Sequence, residues 1–411
     1  MAGADMTEQS TRSVVLTLNA GSSSLKIGVY SEALDSIATG LVDRIGSGDG
    51  SLRLRDAKGG ALALPKGLAA GFTDHGAALT TVLAALDALF PRLAVLAVGH
   101  RVVHGGIDHT APVVIDSGVL SALARLEPFA PLHQPHNLSG IRAAMAAFPA
   151  ALQVACFDTA FHRTHPFVND TFALPRAYYD KGVRRYGFHG LSYDYIAGAL
   201  RAQAPDLASG RVIVAHLGNG ASICALKDGR SIASTMGFSA LDGLPMGTRC
   251  GQLDPGVVLY LMQQEGMDAA AISDLLYRKS GLLGLSGLSN DMRILEASVA
   301  PGARQAIDYF VFRIQREIGG LTAALQGLDG LVFCGGIGEN SHSIRAQVTD
   351  GMGWLGIEID QARNAANAPV ISAQGAPVTV MVIPTDEERV IARATLALAG
   401  QPGQSAAASG R

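Results

Sequence analysis

The sequence predicts an α/β protein made of two duplicated domains, and three observations support this fold class. The chain has 411 residues, which is more than one ordinary domain needs and enough for two that each bury a core. Apolar, strand-like runs and helix-spaced segments occur in both halves. One hairpin pattern, rich in Gly and Ser, occurs near the start of the chain and again near its middle, as expected for a duplicated unit.

The first hairpin spans residues 14–30 and reads VVLTLNAGSSSLKIGVY. An apolar strand leads into a small polar turn, and an alternating strand leads out of it. Gly21 allows close approach of the backbone, the serines and successive N–H groups can donate to an anion, and Lys26 adds a positive charge. Asn19 offers a neutral oxygen ligand to Mg²⁺. The turn suits a phosphate group, although an ordinary hairpin at a sheet edge has the same composition.

The second hairpin spans residues 211–226 and reads RVIVAHLGNGASICAL. It repeats the order of apolar strand, Asn/Gly/Ser turn and apolar strand. Two such hairpins predict halves that face each other across a nucleotide. The alternative is that two glycine-rich hairpins resemble each other by chance.

Composition and charge argue against several classes of protein. The net charge is −3, which argues against a nucleic-acid partner or an anionic membrane surface. No apolar run approaches the length of a membrane span, and residues 1–12 lack the apolar segment of a signal peptide. The four cysteines, Cys156, Cys224, Cys250 and Cys334, show no C-x-x-C spacing. We expect reduced, mostly buried thiols in a cytoplasmic protein.

Periodicity and turn residues predict the remaining elements in chain order. Strands are expected within residues 33–64, at 93–98, at 153–158, from 330 and at 378–384, and helices at 77–90, from 256 or 257, at 304–325, after the double glycine 335–336 and at 390–399. Residues 129–137 are predicted to form a proline-rich loop in which helices cannot form, and residues 289–293 a polar turn. The Gly-rich loop 238–256 carries Arg249. The strand and double glycine at 330–340 suit a base or ribose lying across the glycines, or plain close packing.

Polar side chains follow the predicted strands, where ligand contacts are usual in open α/β sheets. Arg101 lies in GHRVVHGG and is a candidate clamp for a carboxylate or phosphate, with a solvated loop arginine as the alternative. Asp158 ends the strand of QVACFDTAFH, and His189 stands between an aromatic residue and a glycine in YGFHG. Each could be a satisfied core group, but their repetition at strand ends and glycine turns favours a site. A lone histidine such as His133 is more often structural.

Eight motifs resemble those of the acetokinase family, a branch of the acetate and sugar kinase, Hsc70 and actin superfamily. In chain order they are NAGSSSLK, GHRVVHGG, CFDTAFH, YGFHG, HLGNGAS, GLPMGTRCGQLDPG, CGGIGEN and IPTDEE, and the match covers about residues 14–399. The resemblance implies two duplicated actin-like (ribonuclease H-like) domains, each a mixed sheet flanked by helices, around a nucleotide cleft. The domains would be residues 11–158 with a returning helix at 387–400, and residues 159–386, with disordered tails at 1–10 and 401–411.

The resemblance also implies reversible, Mg²⁺-dependent transfer of the γ-phosphoryl group of ATP to acetate, giving acetyl phosphate and ADP, with Mn²⁺ as a substitute metal. It implies a cytoplasmic homodimer with small-molecule partners and no nucleic-acid or membrane partner. The implied catalytic residues are Asp158, His189 and Arg249, and the implied metal ligands are Asn19 and Glu387. Substrate contacts are implied at Arg101, Val103, Leu132, His133 and Phe188. ATP contacts are implied at Lys26, His216, Leu217, Gly218, Asn219, Gly220, Asp291, Met292, Arg293, Gly335, Gly336, Ile337, Gly338 and Glu339.

These residue types suit the implied chemistry. A carboxylic acid with a pKa of about 4 to 5 is already ionised at neutral pH, so its attack needs no strong general base. In-line phosphoryl transfer spreads negative charge over three oxygens, which two arginines, a histidine and Mg²⁺ can neutralise. We therefore expect Asp158 to orient an arginine or the metal shell rather than to accept a proton.

Two positions depart from the family pattern. Ala240 stands where proline is frequent beside the implied acetate pocket, and leaves room for an extra methylene whose burial is worth only about 0.8 kcal/mol. Asp386 stands where asparagine is common and adds a negative charge beside the implied metal carboxylate. A kinase for propionate or butyrate is therefore the nearest alternative function. A nucleotide-binding module without catalysis is a third, against which retention of Arg101 and Arg249 argues.

Overall fold

The structure is a computed structural model that describes residues 12–21, 23–66, 68, 71–131 and 133–400. The predicted tails, 1–10 and 401–411, and the predicted substrate contact Leu132 lie outside the described residues. The described chain divides into two compact units, one running to Ala160 and resuming at Glu387, the other spanning Phe161–Asp386. None of the helices in the described ranges is both long and apolar enough to cross a bilayer.

Both units contain strands and helices. The strands are β1 (Arg12–Ala20), β2 (Ser24–Ser31), β3 (Ser36–Asp43), β4 (Ser51–Asp56), β5 (Leu93–Val102), β6 (Val113–Val114), β7 (Leu152–Phe157), β8 (Arg211–Leu217), β9 (Ala221–Lys227), β10 (Arg230–Ser234), β11 (Gly330–Cys334) and β12 (Thr379–Val382). The helices are α1 (His75–Leu89), α2 (Ser117–Ala124), α3 (Gln134–Ala147), α4 (Phe167–Asp170), α5 (Arg176–Asp180), α6 (Gly190–Gln203), α7 (Pro205–Ala208), α8 (Pro255–Gln263), α9 (Ala269–Arg278), α10 (Gly281–Ser286), α11 (Met292–Glu296), α12 (Pro301–Leu325), α13 (Gly335–Asn340), α14 (His342–Thr349), α15 (Gln361–Ala365) and α16 (Glu387–Ala399). Short 3₁₀ helices span Glu127–Phe129, Ala160–His162 and Gly353–Leu355.

The first unit contains a mixed sheet in the order β4-β3-β2-β1-β5-β7-β6, counted over the described residues. β1 pairs antiparallel with β2 and parallel with β5, and β5 pairs parallel with β7. Because side chains alternate along a strand, Leu16 and Leu18 of β1 face the core under α1, whereas Val15 faces Ala392 of α16. Burial on both faces explains why β1 reads as a continuous apolar run.

The returning helix α16 packs closely on the central strands of this first sheet. The Thr395 side chain occupies the space that a Cβ on Gly99 of β5 would need, so any larger residue there would displace the helix. This approach places Glu387, in the first turn of α16, at the carboxyl end of β5. The helix therefore serves both the core and the candidate site.

The second unit repeats the central arrangement of the first. Its sheet has the order β10-β9-β8-β11-β12 within the described residues, with β8 antiparallel to β9 and parallel to β11. Tyr193, Ile196 and Leu200 of α6 pack on one face of this sheet, and α12 packs on the other. A hairpin followed by a parallel neighbour thus occurs in both sheets. The predicted fold class, α/β with mixed sheets flanked by helices, is confirmed.

Two predicted local structures are wrong. Residues 129–137 were expected to exclude helices, but α3 begins at Gln134 with Pro135 in its first turn. Proline is tolerated there because the first N–H groups of a helix have no intrahelical acceptor. The expected polar turn at 289–293 contains the start of α11, which Asp291 caps by accepting a hydrogen bond from the Arg293 N–H.

Candidate active site

Arg101 and Asp158 form the centre of a polar cluster in the first unit. β5 and β7 are parallel neighbours, so their carboxyl ends bring Arg101, near the end of β5, beside Asp158, directly after β7. Arg101 Nε and Nη2 donate to the two oxygens of Asp158 at 3.0 and 2.6 Å. This bidentate geometry fixes the plane of the guanidinium. The predicted alternative of a solvated loop arginine is wrong, because only 19% of the side chain is exposed.

The charge of Arg101 is stabilised by the carboxylates around it. Burial alone would lower the pKa of its guanidinium, but Asp158 and then Glu387 more than offset this, and the net effect is a raised pKa. Asp158 is almost fully buried, with 1% of its side chain exposed. A buried carboxylate whose two oxygens both accept from one guanidinium is well suited to orienting that group.

The two predicted metal ligands lie against this same arginine. Asn19 Oδ1 accepts from Arg101 Nη1 at 3.2 Å, and Glu387 Oε2 lies 3.8 Å from Arg101 Nε. Lys26, a predicted ATP contact, is paired opposite Asn19 in the β1–β2 ladder and is exposed. Over the described ranges, no three His, Cys, Asp or Glu side chains are close enough to hold a metal. Mg²⁺ commonly takes only one or two protein oxygens and completes its shell with water and substrate phosphates, so Asn19 and Glu387 fit such a partial site.

Two amides that sequence reasoning missed hold the strand ends around Arg101. Asn137 of α3 accepts from the Val103 N–H at 3.0 Å and donates to the Ala20 carbonyl at 2.7 Å, which joins the ends of β5 and β1. Gln134 accepts from the His104 N–H and donates to the His104 carbonyl. Both are fully buried. The polar residues within the motif LHQPHN were the available signal, but the proline was taken to exclude a helix.

In the second unit, His189 stands at the start of α6 with a left-handed backbone, φ 56°. This conformation is uncommon for a residue with a side chain and is concentrated at functional sites. The His189 ring stacks on His216 at the end of β8, with ring centroids 4.4 Å apart. Its Nδ1 lies 2.9 Å from the hydroxyl of Ser222.

Arg249 and His189 converge on Gly220 in the turn of the second hairpin. A Cβ built on Gly220 would lie 3.2 Å from His189 Nε2 and 3.4 Å from Arg249 Nη2. The other terminal nitrogen of Arg249, Nη1, donates to the carbonyl of Ala240 at 2.7 Å. The structure thus brings together two predicted catalytic residues and one predicted ATP contact. Ala240 takes part through its backbone, whichever side chain it carries.

Gly220→Ala is expected to lower kcat by about tenfold with little change in the free energy of unfolding, because the added methyl displaces His189 and Arg249 by a few tenths of an ångström. Steady-state kinetics and urea unfolding check this. Gly319→Ala in α12 is the matched control, since a Cβ there meets no atom within 4 Å. It should retain full activity and gain up to about 1 kcal/mol of stability. Equal activity of the two variants would contradict the convergence.

A cavity of about 780 Å³ lies in the second unit beside this turn. Seven predicted ATP contacts line it, namely Gly218, Asn219, Asp291, Met292, Arg293, Gly336 and Ile337. It is also lined by Asn290, Glu296, Asn340 and Ser341, which sequence reasoning did not single out. The volume lies within the range of about 300 to 1,000 Å³ that is typical of small-molecule pockets.

The glycine turn at this cavity is stabilised by hydrogen bonds that involve Glu339 and Arg345. Gly335 has φ +75°, and a Cβ there would lie 2.7 Å from the Leu217 carbonyl oxygen, so the turn requires glycine. Glu339 accepts from the N–H groups of Gly335 and Thr385 at 2.9 and 3.0 Å. Arg345, fully buried, donates to the Glu339 carbonyl at 3.0 Å. Glu339 therefore supports the turn through Oε1, which accepts from both amides.

The predicted acetate contacts are distributed over both units. Val103 is buried just after β5, and His133 precedes α3 as its N-cap residue. Phe188 is buried in the second unit, where its carbonyl accepts a hydrogen bond from His162 Nε2 at 2.9 Å. Their roles in substrate binding stay predictions.

The comparisons with known proteins agree on one family. The model of the acetokinase family matches residues 14–393. Acetate kinase of Methylocella silvestris is 58% identical over 399 residues, covering 94% of this chain and 98% of that protein. Among solved structures, Porphyromonas gingivalis acetate kinase has a TM-score of 0.83 at 38% identity and covers 94% of this chain and 99% of its own. A propionate kinase from Francisella tularensis has a TM-score of 0.86 at 35% identity, with 93% and 99% coverage.

Proposed function

The chain belongs to the acetokinase family, and from that premise we propose that it is an acetate kinase, which transfers the γ-phosphoryl group of ATP reversibly to acetate. The product pair is acetyl phosphate and ADP. The geometry that best supports this reaction is the convergence of His189 Nε2 and Arg249 Nη2 on Gly220. A donor and a cation that converge on one glycine are suited to neutralising the charge on the oxygens of the transferring phosphoryl group.

Each polar group has a separate task in the proposed reaction. Arg101, whose guanidinium plane is fixed by Asp158, binds the acetate carboxylate. His189 and Arg249 neutralise the charge that develops on the transferring group. Asp158 carries no proton in the reaction, because acetate is already ionised at neutral pH.

The metal we propose is Mg²⁺, with Mn²⁺ as a substitute, held by Asn19 and Glu387. When bound, it supplies charge neutralisation at the nucleotide phosphates. Both side chains offer oxygen, which hard divalent cations prefer.

To test whether acetate rather than propionate is the acceptor, ADP release is measured with acetate, propionate and butyrate in parallel. Any acyl phosphate formed is trapped with hydroxylamine. We expect kcat/KM to favour acetate, as the names of the most similar curated relatives suggest. Ala240→Pro should sharpen that preference by less than about fourfold, the equivalent of one methylene. Equal use of propionate would make the chain a kinase for propionate or butyrate. If no acid gave an acyl phosphate, the remaining function would be that of a nucleotide-binding module without catalysis.

We further propose that the two compact units are the two domains and that the protein is a cytoplasmic homodimer. All four cysteines are free thiols, which suits a reducing compartment. α8 buries none of its residues and exposes Leu259, Tyr260 and Met262. An apolar helix face of this kind is typical of an interface.

Light scattering is expected to give twice the mass of one chain, and Tyr260→Asp should shift it to the mass of one chain, because the charge would be buried in the interface. Trp354→Asp is the control, since Trp354 is 75% exposed and lies outside α8. A monomeric wild type would refute the dimer.

A further inference from the structure

Ser222 lies between the side chains of His189 and Tyr193 and hydrogen bonds to both. His189 precedes the helix and Tyr193 follows one turn later, so both rings project from the same side. Ser222 reaches them from β9, where it is paired with His216 of β8. Its Oγ lies 2.9 Å from His189 Nδ1 and 2.5 Å from the Tyr193 hydroxyl oxygen.

Counting the hydrogens on these groups fixes the direction of both bonds. Tyr193 is fully buried, and across the described residues the one hydrogen-bond partner of its hydroxyl is Ser222. Burial also raises the pKa of Tyr193 well above its usual value, so it keeps its proton. A buried O–H with no acceptor costs about 1 to 3 kcal/mol. Tyr193 therefore donates to Ser222.

Ser222 is also fully buried and has one hydrogen of its own. Its remaining partner is His189 Nδ1, so Ser222 donates there and Nδ1 accepts. A hydrogen on Nδ1 would instead leave the Ser222 O–H without an acceptor. The same count disfavours a doubly protonated His189 ring, because that ring also carries a hydrogen on Nδ1. The positive charge of Arg249, on the other side of Gly220, disfavours it as well.

We propose that Ser222, which accepts from Tyr193, is a positioning residue that holds His189 as the neutral tautomer with its hydrogen on Nε2. Nε2 is the nitrogen that faces Gly220. His189 then presents an N–H donor, and the other tautomer would present a lone pair to the negative oxygens of the transferring group. The assignment of the tautomer depends only on the count of hydrogen bonds. Its role in phosphoryl transfer rests on the proposed function.

The test is nitrogen NMR of the full-length protein labelled with ¹⁵N-histidine, with the His189 signal assigned by its loss in His189→Gln. In the wild type, Nδ1 is expected to show the shift of a bare nitrogen and Nε2 that of an N–H. Ser222→Ala should mix the tautomers, and Ser222→Thr, which keeps the hydroxyl, should restore the wild-type pattern. Tyr193→Phe should leave the pattern unchanged, because the Ser222 O–H still has only Nδ1 to donate to. Ser231→Ala is the matched control, because Ser231 is a buried serine of the same sheet that bonds two other histidines.

Kinetics separate the two parts of the inference. Ser222→Ala should lower kcat by about tenfold, a fraction of what losing a transition-state donor outright costs, with an unchanged KM for ATP. A hydrogen on Nδ1 of the wild type would overturn the proposal whatever the activity. Mixed tautomers in Ser222→Ala with normal kcat would overturn the positioning role while leaving the kinase assignment intact. Should Ser222→Ala fail to fold, Ser222→Cys, whose S–H is a weak donor, gives both measurements with the volume of the side chain nearly kept.

Discussion

Replacing Arg249 with alanine is expected to lower kcat by about two to three orders of magnitude and to change the KM for ATP only modestly. The guanidinium is fixed by the Ala240 carbonyl and meets His189 at Gly220, and it does not itself line the cavity beside that turn. Its loss therefore removes charge stabilisation from the transition state more than from the bound substrate. Arg249→Lys should recover only part of the rate, because an ammonium lacks the planar pair of donors.

Steady-state kinetics with saturating acetate measure this effect. The matched control is Arg278→Ala, in which an exposed arginine of the same unit, with 67% of its side chain accessible, is removed. The control should keep the wild-type kcat. A near-normal kcat in Arg249→Ala would remove Arg249 from the catalytic residues.

Asp158→Asn is expected to lower kcat/KM for acetate by about a hundredfold, since the guanidinium of Arg101 loses the carboxylate that fixes its plane. The variant should also lose about 1 to 3 kcal/mol of stability, because the buried charge of Arg101 is no longer offset by the Asp158 carboxylate. Glu387, at 3.8 Å, limits that loss. An arginine guanidinium stays protonated at ordinary pH even without this carboxylate, so the defect should not depend on pH.

A double-mutant cycle decides between orientation and proton transfer. If Asp158 acts through Arg101, the variant carrying both Arg101→Ala and Asp158→Asn is no slower than the worse single variant. Additive losses would show that Asp158 has a role of its own. Asp170→Asn is the control for a buried pair, because Asp170 binds Arg163 in the second unit, at 3.2 Å, and should affect stability without the kinetic defect.

Local pattern predicted much of this protein. The apolar run in β1, the hairpin around Asn19 and the helical periodicity of α12 all depend on residues close in the chain, and each element is found. The polar groups at strand ends were identifiable because parallel neighbours share one edge. The helix expected from residue 256 or 257 is also found, as α8 from Pro255, and Asp254 caps it by accepting from the Gly256 N–H.

Supporting contacts were not predictable in the same way. Tyr193 and Ser222 meet only through the packing of α6 on β9, so neither shows a local signal beyond its spacing from His189 or His216. Gln134 and Asn137 were hidden by a rule about proline that does not apply to the first turn of a helix. Side chains that satisfy buried backbone groups depend on tertiary geometry, which no short motif records.

The position of α16 also sets an order of events for a chain emerging from the ribosome. β1 and β5 are made early, but the helix that covers one face of them, with Thr395 against Gly99, is made after the whole second unit. Until then an apolar sheet face is exposed, and such faces favour misassembly. The same late segment carries Glu387. A nascent chain that does not yet include α16 would therefore lack the proposed metal carboxylate, so catalytic competence and a completed core are acquired in the same step.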